Sequence, residues 1–271
     1  MKAANFSFYV FGRLLNAVIC AVCFTTLIAT IHSQERNSDS QNADNLIERI
    51  KQGTFTPAMV NRIVQLRAVQ AIPVLKQQFV INPDTLTKQA LASALVSLGD
   101  TEDVYWDFLV DHAKVVIETD APFPIAFDTE GKLVPRQLSP EFLEWAKAHN
   151  LSPERASSVQ VYALPVDLTF LAVTGDPRGL ALLRRSLASR NYFIQAVAAK
   201  GLAKLQDTDS VPVIIAVCRK SPAQVAELIA RALVFFEDAR AQAAAETFIS
   251  DRQLLDELRK LGREKGPAGV F

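Results

Sequence analysis

The sequence has no excess of charge of either sign. Its 271 residues contain 29 lysines and arginines against 29 aspartates and glutamates. The first 33 residues hold two of the basic residues, Lys2 and Arg13, and no acidic one, so 27 basic and 29 acidic residues follow them. Nucleic-acid-binding proteins carry basic patches or stripes that neutralise phosphates. The balance of charge therefore argues against nucleic acid as a partner.

Glycine and histidine are also scarce, with 10 and 3 residues. Phosphate-binding loops depend on glycine, and none of the P-loop, dinucleotide-binding, nucleophile-elbow or zinc-protease motifs occurs. His112 lies near Asp107 and Asp111, which share one helix face. We interpret this face as solvated acidic surface, and a cation site is the alternative. The sequence thus predicts a protein that is not an enzyme and that has no cofactor and no metal site.

Cysteine is limited to three residues. Cys20 and Cys23 have the C-x-x-C spacing of redox motifs, but no strand–helix–strand pattern surrounds them. They are interpreted as small apolar residues of a membrane-crossing segment. If that segment is removed, Cys218 is alone and no intramolecular disulfide can form. Packing must then supply the stability of the fold.

Residues 1–33 have the pattern of a secretory signal peptide. Two basic residues precede an apolar run from Leu14 to Ile31, and polar residues follow from Ser33. The run is short for a spanning helix, so cleavage is the first prediction and an uncleaved transmembrane anchor is the alternative. In both cases the rest of the chain is expected outside the cytoplasm, periplasmic or secreted. Residues 34–44 are predicted to be a polar linker.

An apolar pattern repeats every 31 residues in the C-terminal half. Both copies follow the i, i+3, i+4, i+7, i+8, i+11 spacing of an amphipathic helix. They comprise Ile194, Val197, Ala198, Gly201, Leu202 and Leu205, and then Val225, Leu228, Ile229, Ala232, Leu233 and Phe236. A related stripe comprises Ala90, Leu91, Ala94, Leu95 and Leu98. The small residues Ala94, Gly201 and Ala232 are expected to let neighbouring helices approach closely.

Punctuating residues recur between these stripes. Turns that follow the stripes contain aspartates expected to cap the next helix, namely Asp100, Asp176, Asp207 and Asp238. Prolines suited to a first helical turn follow such turns, namely Pro73, Pro177 and Pro212. The other helices are predicted to begin at Thr56-Pro57, Ser139-Pro140, Ser152-Pro153 and Ser221-Pro222. The predicted units cover residues 45–68, 70–100, 102–113, 166–175, 177–207 and 209–238.

The segment AAKGLAKLQDTDSVP, Ala198–Pro212, resembles the HEAT-repeat family, in particular the short bacterial PBS-lyase HEAT-like repeats. The resemblance covers residues 66–113 and 166–250. It implies an all-α fold, an α-α superhelix or solenoid over residues 45–265, followed by a flexible tail at 266–271. Tetratricopeptide repeats have a period of about 34 residues and a signature that is absent here. Armadillo-type repeats remain open on helix spacing alone.

The period is interrupted between residues 114 and 165. Pro122, Pro124 and Pro135 are incompatible with a continuous helix. Residues 125–127 and 132–134 flank a turn ending in Gly131, which predicts a small β-hairpin. Two short helices are expected after the hairpin, from Pro140 to His149 and from Pro153 to about Leu164.

Four aromatic residues in or near this insertion are candidates for contact with a partner: Trp106, Phe123, Phe127 and Trp145. Insertions in solenoids often lie on the binding face, and aromatic side chains are common in interfaces. The alternative interpretation is that the four residues pack the insertion onto the helices.

Together these patterns predict an exported helical-repeat scaffold that binds another protein through its concave face or its insertion. Contact with a membrane is expected only if the N-terminal segment is retained. The alternative function is a lyase or hydrolase accessory, or a ligand-binding protein, with a site at residues 115–140. A third possibility is a structural spacer tethered to the membrane. Fold alone does not decide between these functions.

Overall fold

A computed structural model describes residues 43–130, 132–152 and 166–271, and over these ranges the chain is mostly helical. The α-helices of these ranges are α1 Ala43–Lys51, α2 Pro57–Gln65, α3 Ile72–Ile81, α4 Thr85–Ser97, α5 Asp103–Thr119, α6 Pro140–Ala148, α7 Val166–Ala172, α8 Leu180–Ser186, α9 Tyr192–Lys204, α10 Val211–Lys220, α11 Ala223–Ala230, α12 Ala239–Phe248 and α13 Arg252–Lys265. The all-α class is confirmed. The predicted signal segment, the linker up to residue 42 and the helix predicted from Pro153 lie outside the described residues.

The helix starts follow most of the predicted signals. Thr56 and Ser139 cap α2 and α6 through their side-chain oxygens, which accept hydrogen bonds from Met59 N and Phe142 N. The predicted cap at Ser221 is wrong. Its hydroxyl instead donates to Val217 O at 2.9 Å, in the preceding helix, and Pro222 occupies the N-cap position of α11 without a side-chain hydrogen bond.

The aspartate turns vary in how they satisfy backbone groups. Asp238 caps α12 by accepting from Arg240 N at 2.8 Å and Ala241 N at 3.2 Å, as predicted. Asp176 caps the 3-10 helix Pro177–Gly179 by accepting from Arg178 N. Asp207 makes no such cap, because its carboxylate binds the Arg184 guanidinium and the Ser210 hydroxyl. In each of these three turns the carboxylate also pairs with an arginine.

The helices contact each other mainly as pairs of chain neighbours. The pairs are α1 with α2, α3 with α4, α8 with α9, and α10 with α11. The remaining pair joins α5 to α7, on either side of the insertion. The second helices of successive pairs also contact one another, in the order α2, α4, α7, α9 and α11. The units predicted at 102–113 and 166–175 are therefore one pair, and α5 extends to Thr119 before it ends at Asp120 in the left-handed conformation.

The insertion contains the predicted hairpin. Strands β1 Ile125–Phe127 and β2 Leu133–Leu138 pair in antiparallel orientation, with Ile125 opposite Leu138 and Phe127 opposite Leu133. The second strand is longer than the sequence predicted. Asp128 supports the turn, since its Oδ1 accepts from Glu130 N and Lys132 N at 2.9 Å each.

Gly201 marks a close crossing of three helices, as predicted. A Cβ atom at this position of α9 would lie 2.9 Å from the Leu183 side chain of α8 and 3.0 Å from Ala172 Cβ of α7. Ala94 and Ala232 are likewise buried. Small side chains at these positions permit the close packing on which a helical core depends.

The last six residues differ from the predicted flexible tail. Residues Gly266–Val270 form a 3-10 helix, with Gly266 at a φ of +58°. Val270 is buried, and this segment contacts α9 and α13. Burial of Val270 against the core supplies the apolar contact that an isolated six-residue tail would lack.

The glycines at positions 201 and 262 allow a matched test of this packing. Both lie in helices, but a Cβ at Gly262 would meet only Phe235 and Val234 atoms at 3.8–3.9 Å. Alanine gains up to about 1 kcal/mol of helix propensity over glycine, while overpacking costs about 1–3 kcal/mol. We expect Gly262→Ala to raise the free energy of unfolding and Gly201→Ala to lower it, as measured by urea denaturation. Equal shifts of the same sign would contradict the close crossing.

Candidate functional site

The structure separates the four predicted aromatic residues into three environments. Phe123 and Phe127 lie together, with ring centroids 5.6 Å apart. Both rings contact Tyr192 of α9, and Phe123 also contacts Phe193 at 5.2 Å. Phe123 is only 6% exposed, whereas Phe127 is half-buried. This part of the insertion is therefore packed onto the start of α9.

Arg190, which precedes α9, also binds the insertion. Its guanidinium binds the Asp120 carboxylate at 3.0 Å, Asp120 O at 2.8 Å and Glu141 Oε1 at 3.3 Å. The backbone adds a hydrogen bond from Phe123 N to Arg190 O at 3.2 Å. These three contacts, to Asp120 at the start of the insertion and to Glu141 of α6, hold the insertion against the loop between α8 and α9.

Trp106 and Trp145 lie elsewhere and are also buried, at 8% and 7% exposure. The Arg178 guanidinium covers the Trp106 ring, 4.6 Å from its centroid. Trp145 stacks on His149 at 4.4 Å and belongs to a small separate core with Phe142. Of the four candidates, only Phe127 keeps appreciable exposed area. Its contact with a partner stays a prediction.

A different set of apolar side chains faces solvent. We define the apolar surface as Val80, Ile81, Leu86, Val104 and Val115, which are large, exposed and carried by the consecutive helices α3, α4 and α5. Val80 and Ile81 end α3 and Leu86 lies in the first turn of α4, so the short turn between the helices brings these three to one end of the pair. Val80, Ile81 and Leu86 thus form neighbouring exposed apolar area, and large exposed apolar patches are typical of interaction sites.

An aromatic row joins two of the helices that carry the apolar surface. The Phe79 ring meets Tyr105 and Phe108 edge-on, at 5.0 and 5.2 Å, and so joins α3 to α5. Burial raises the pKa of the Tyr105 hydroxyl, and the nearby Glu102 charge adds to this. Such edge-to-face packing adds rigidity to the helices that present the surface.

Charged side chains of the same helices and of the turn between α4 and α5 form ion pairs and cation–π contacts. The Lys76 ammonium binds Asp100 Oδ2 at 2.7 Å and Glu102 Oε1 at 2.6 Å, and these hydrogen bonds hold the pKa of Lys76 above its ordinary value. The Lys88 ammonium lies over the Phe79 ring at 5.5 Å. An apolar centre with a polar rim is the usual anatomy of a protein interface. The sequence did not mark these residues, because exposure of a valine depends on which neighbours cover it.

The possible cation site at His112 gains no support from the geometry. His112 Nδ1 lies 2.8 Å from Phe108 O, one turn back in α5, and Asp107 and Asp111 are exposed. Within the described ranges, no group of three or more His, Cys, Asp or Glu side chains is placed to hold a metal ion.

Two lysines of α9, Lys200 and Lys204, lie close to the ring of the C-terminal residue, Phe271. The ammonium groups of Lys200 and Lys204 lie 5.7 and 6.0 Å from the centroid of the Phe271 ring. Lys204 Nζ also donates to Val173 O. Burial, together with the nearby charge of Arg231, lowers the pKa of Lys200 to about 8. Burial also lowers the pKa of Lys204.

Comparison of the chain with protein-family models, with curated proteins and with solved structures gives no match. In the part of the chain that the structure describes, every helix is too short or too polar to cross a membrane.

The lowered pKa of Lys200 makes stability depend on pH. Above a pH of about 8 the folded protein releases a proton that the unfolded lysine, with a pKa of 10.5, retains. Stability therefore rises with pH between these two values, and below this window the buried charge is destabilising. We expect Lys200→Met to melt at a higher temperature than the wild type at pH 7, by a margin that shrinks towards pH 10.

Thermal melts followed by circular dichroism at pH 7 to 10 would measure this margin. The control is Lys260→Met, which removes a lysine whose side chain is 71% exposed. A constant margin for Lys200→Met across the whole range would count against a buried, destabilising charge.

Proposed function

We propose that the chain folds as a HEAT-like solenoid. The sequence resemblance at Ala198–Pro212 supports this, and so does the sequential pairing of helices. Hydrogen bonds that link equivalent turns give further support. Gln206 Nε2 donates to Phe235 O at 2.7 Å, and Gln206 Oε1 accepts from Glu237 N at 2.8 Å, 31 residues further on. Contacts between neighbouring repeats are the main source of stability in a solenoid.

We further propose that this solenoid is an exported scaffold that binds another protein through the apolar surface of α3, α4 and α5. This proposal rests on the exposure of five large apolar side chains on these helices, with Val80 73% exposed and Val115 64% exposed. Exposed apolar area with charged residues on the same helices favours a protein partner. Burial of the apolar side chains is driven by the hydrophobic effect, and the charged residues would orient the partner. Phe127 of the insertion is a second contact candidate.

The alternative of an enzyme accessory or ligand-binding protein with its site at residues 115–140 has weaker support. Phe123 is packed against Tyr192 and Phe193, and Arg190 ties the insertion to the helices. These contacts favour a structural role for the described part of the insertion over that of a binding loop.

The partner proposal can be tested with matched surface variants. Val80→Ser with Ile81→Ser removes apolar area from the surface, whereas Val213→Ser changes a valine of α10 that is 50% exposed but lies far along the chain. Because burial of a valine or isoleucine side chain is worth about 1.5 kcal/mol or more, we expect the double variant to recover at least tenfold less of the partner and Val213→Ser to recover as much as the unchanged protein.

Affinity capture of the tagged protein at its native expression level, after in vivo cross-linking, would provide the measurement. Far-UV circular dichroism and melting temperature check that both variants fold. Equal recovery of the same partner by all three proteins, or no partner above an untagged control, would contradict the proposal.

Export is tested separately. If residues 1–33 are a cleaved signal peptide, N-terminal sequencing of the protein from its native source begins at Gln34 and the protein is found in the extracytoplasmic fraction. Retention of Met1 or Lys2 with the protein in the membrane fraction would favour the anchor. A protein that starts at Met1 and is found in the cytoplasm would refute export.

A further inference from the structure

A cleft opens at the C-terminal end of the helical array, away from the apolar surface. It lies between the segment Val234–Ala239 and the second half of α13, and its volume is about 510 Å³. Its lining residues are Val234, Phe235, Phe236, Glu237, Asp238, Ala239, Gln242, Arg259, Gly262, Arg263, Gly266 and Pro267. Clefts that bind small molecules have volumes of about 300–1,000 Å³.

The floor of the cleft is apolar and held in place. Val234, Phe235 and Phe236 are all buried. The Gln242 amide donates to Val234 O and Phe236 O at 2.9 Å each, which fixes the backbone that forms this floor. A Cβ atom at position 262 would lie 3.8 Å from the Phe235 ring, so the absence of a side chain at Gly262 leaves space beside that ring.

Two of the four charged residues that line the cleft are already neutralised. Asp238 is paired with Arg240 and caps α12, which together lower the pKa of its carboxyl to about 2. Arg259 is paired with Glu246. These charges stabilise the protein itself and are not available to a ligand.

The other two, Glu237 and Arg263, have no ion-pair partner among residues 43–130, 132–152 and 166–271. They belong to opposite walls, because Glu237 precedes α12 and Arg263 lies in the last turn of α13. They share the cleft and yet form no salt bridge with each other. The cleft is therefore lined by one unpaired carboxylate and one unpaired guanidinium from different segments, beside apolar residues.

We propose that this cleft binds a small zwitterionic molecule with an apolar body, of the chemical class of the free apolar α-amino acids. Arg263 would bind the carboxylate of such a ligand, as arginine does in planar two-point recognition. Glu237 would accept from its ammonium group, and the side chain would lie beside Phe235, in the space next to Gly262. One unpaired charge of each sign fits a molecule that carries both signs.

Three matched probes separate these contacts in titrations of the purified full-length protein followed by calorimetry. L-phenylalanine carries both charges, N-acetyl-L-phenylalanine carries only the carboxylate, and L-phenylalaninamide carries only the ammonium. L-leucine tests whether another apolar amino acid is accepted. We expect L-phenylalanine to bind about tenfold more tightly than either blocked derivative, since each of these loses one charged hydrogen bond.

Two variants should affect different probes. Arg263→Gln should weaken binding of L-phenylalanine and of the N-acetyl derivative but not of the amide. Glu237→Gln should weaken binding of L-phenylalanine and of the amide but not of the N-acetyl derivative. Lys260→Gln, also on α13 but outside the cleft lining, should change none of them.

Gly262→Leu adds a steric test, because a leucine side chain would occupy the space beside Phe235 and should abolish binding while far-UV circular dichroism stays unchanged. If Gly262→Leu unfolds the protein, the two charge variants decide the question by themselves. Absence of binding by both amino acids would overturn the proposal. So would equal affinity for all three phenylalanine probes, or an equal loss in Lys260→Gln.

Discussion

The described architecture depends on how the second helices of the first four pairs end. The chain leaves α2, α4, α7 and α9 through a residue with positive φ, at Arg67, Gly99, Gly175 and Gln206. This left-handed residue lets backbone N–H groups fold back onto the last helical carbonyls, as in the 3.0 Å bonds from Asp100 N to Leu95 O and from Asp207 N to Leu202 O. Gly175 and Gln206 are 31 residues apart and Arg67 and Gly99 are 32 apart, so these turns recur at close to the period of the repeat.

The same turns carry the contacts between helix pairs. Gln206 is costly at a left-handed position compared with glycine, yet its side-chain amide joins two turns that glycine could not join. Lys204 makes a similar connection backward to Val173 O. Small residues complete the arrangement, because Gly201 lets α9 approach α7 and α8 closely. The geometry of the turns therefore influences the direction of the following helix, and small side chains set the distance between neighbouring helices.

Much of the fold follows from local sequence, and the exceptions have physical causes. The stripes at 90–98 and 194–205, the caps at Thr56 and Ser139 and the hairpin rest on short-range patterns, and the structure confirms them. The stripe at 225–236 is only partly α-helical, because α11 ends at Ala230 and residues Arg231–Phe235 form a 3-10 helix. Pairing of α5 with α7 is a long-range contact that no local pattern encodes. The proposed sites were harder to predict. Trp106 is an aromatic candidate that Arg178 covers, whereas Val80 resembles a core residue and is exposed. Burial depends on tertiary neighbours, and residue type alone does not report it.

The two proposed sites occupy opposite parts of the chain, and their ligands differ in kind. The apolar surface is open and bordered by charges, which suits a protein. The cleft is concave and has one unpaired charge of each sign, which suits a small molecule. A repeat array allows this division, because each pair contacts mainly its neighbours and can change its exposed side chains without disturbing distant pairs.

The insertion between Thr119 and Val166 separates two helices that are partners in space. Bringing the ends of such a loop together costs entropy, but the cost grows only with the logarithm of its length, by about 0.6 kcal/mol for each doubling. The pair α5–α7 is therefore a place where the chain can gain or lose sequence with little thermodynamic penalty. The folding rate depends more strongly on the length of the insertion than stability does. The contact between α5 and α7 forms only after the insertion closes as a loop, whereas the other pairs form between chain neighbours.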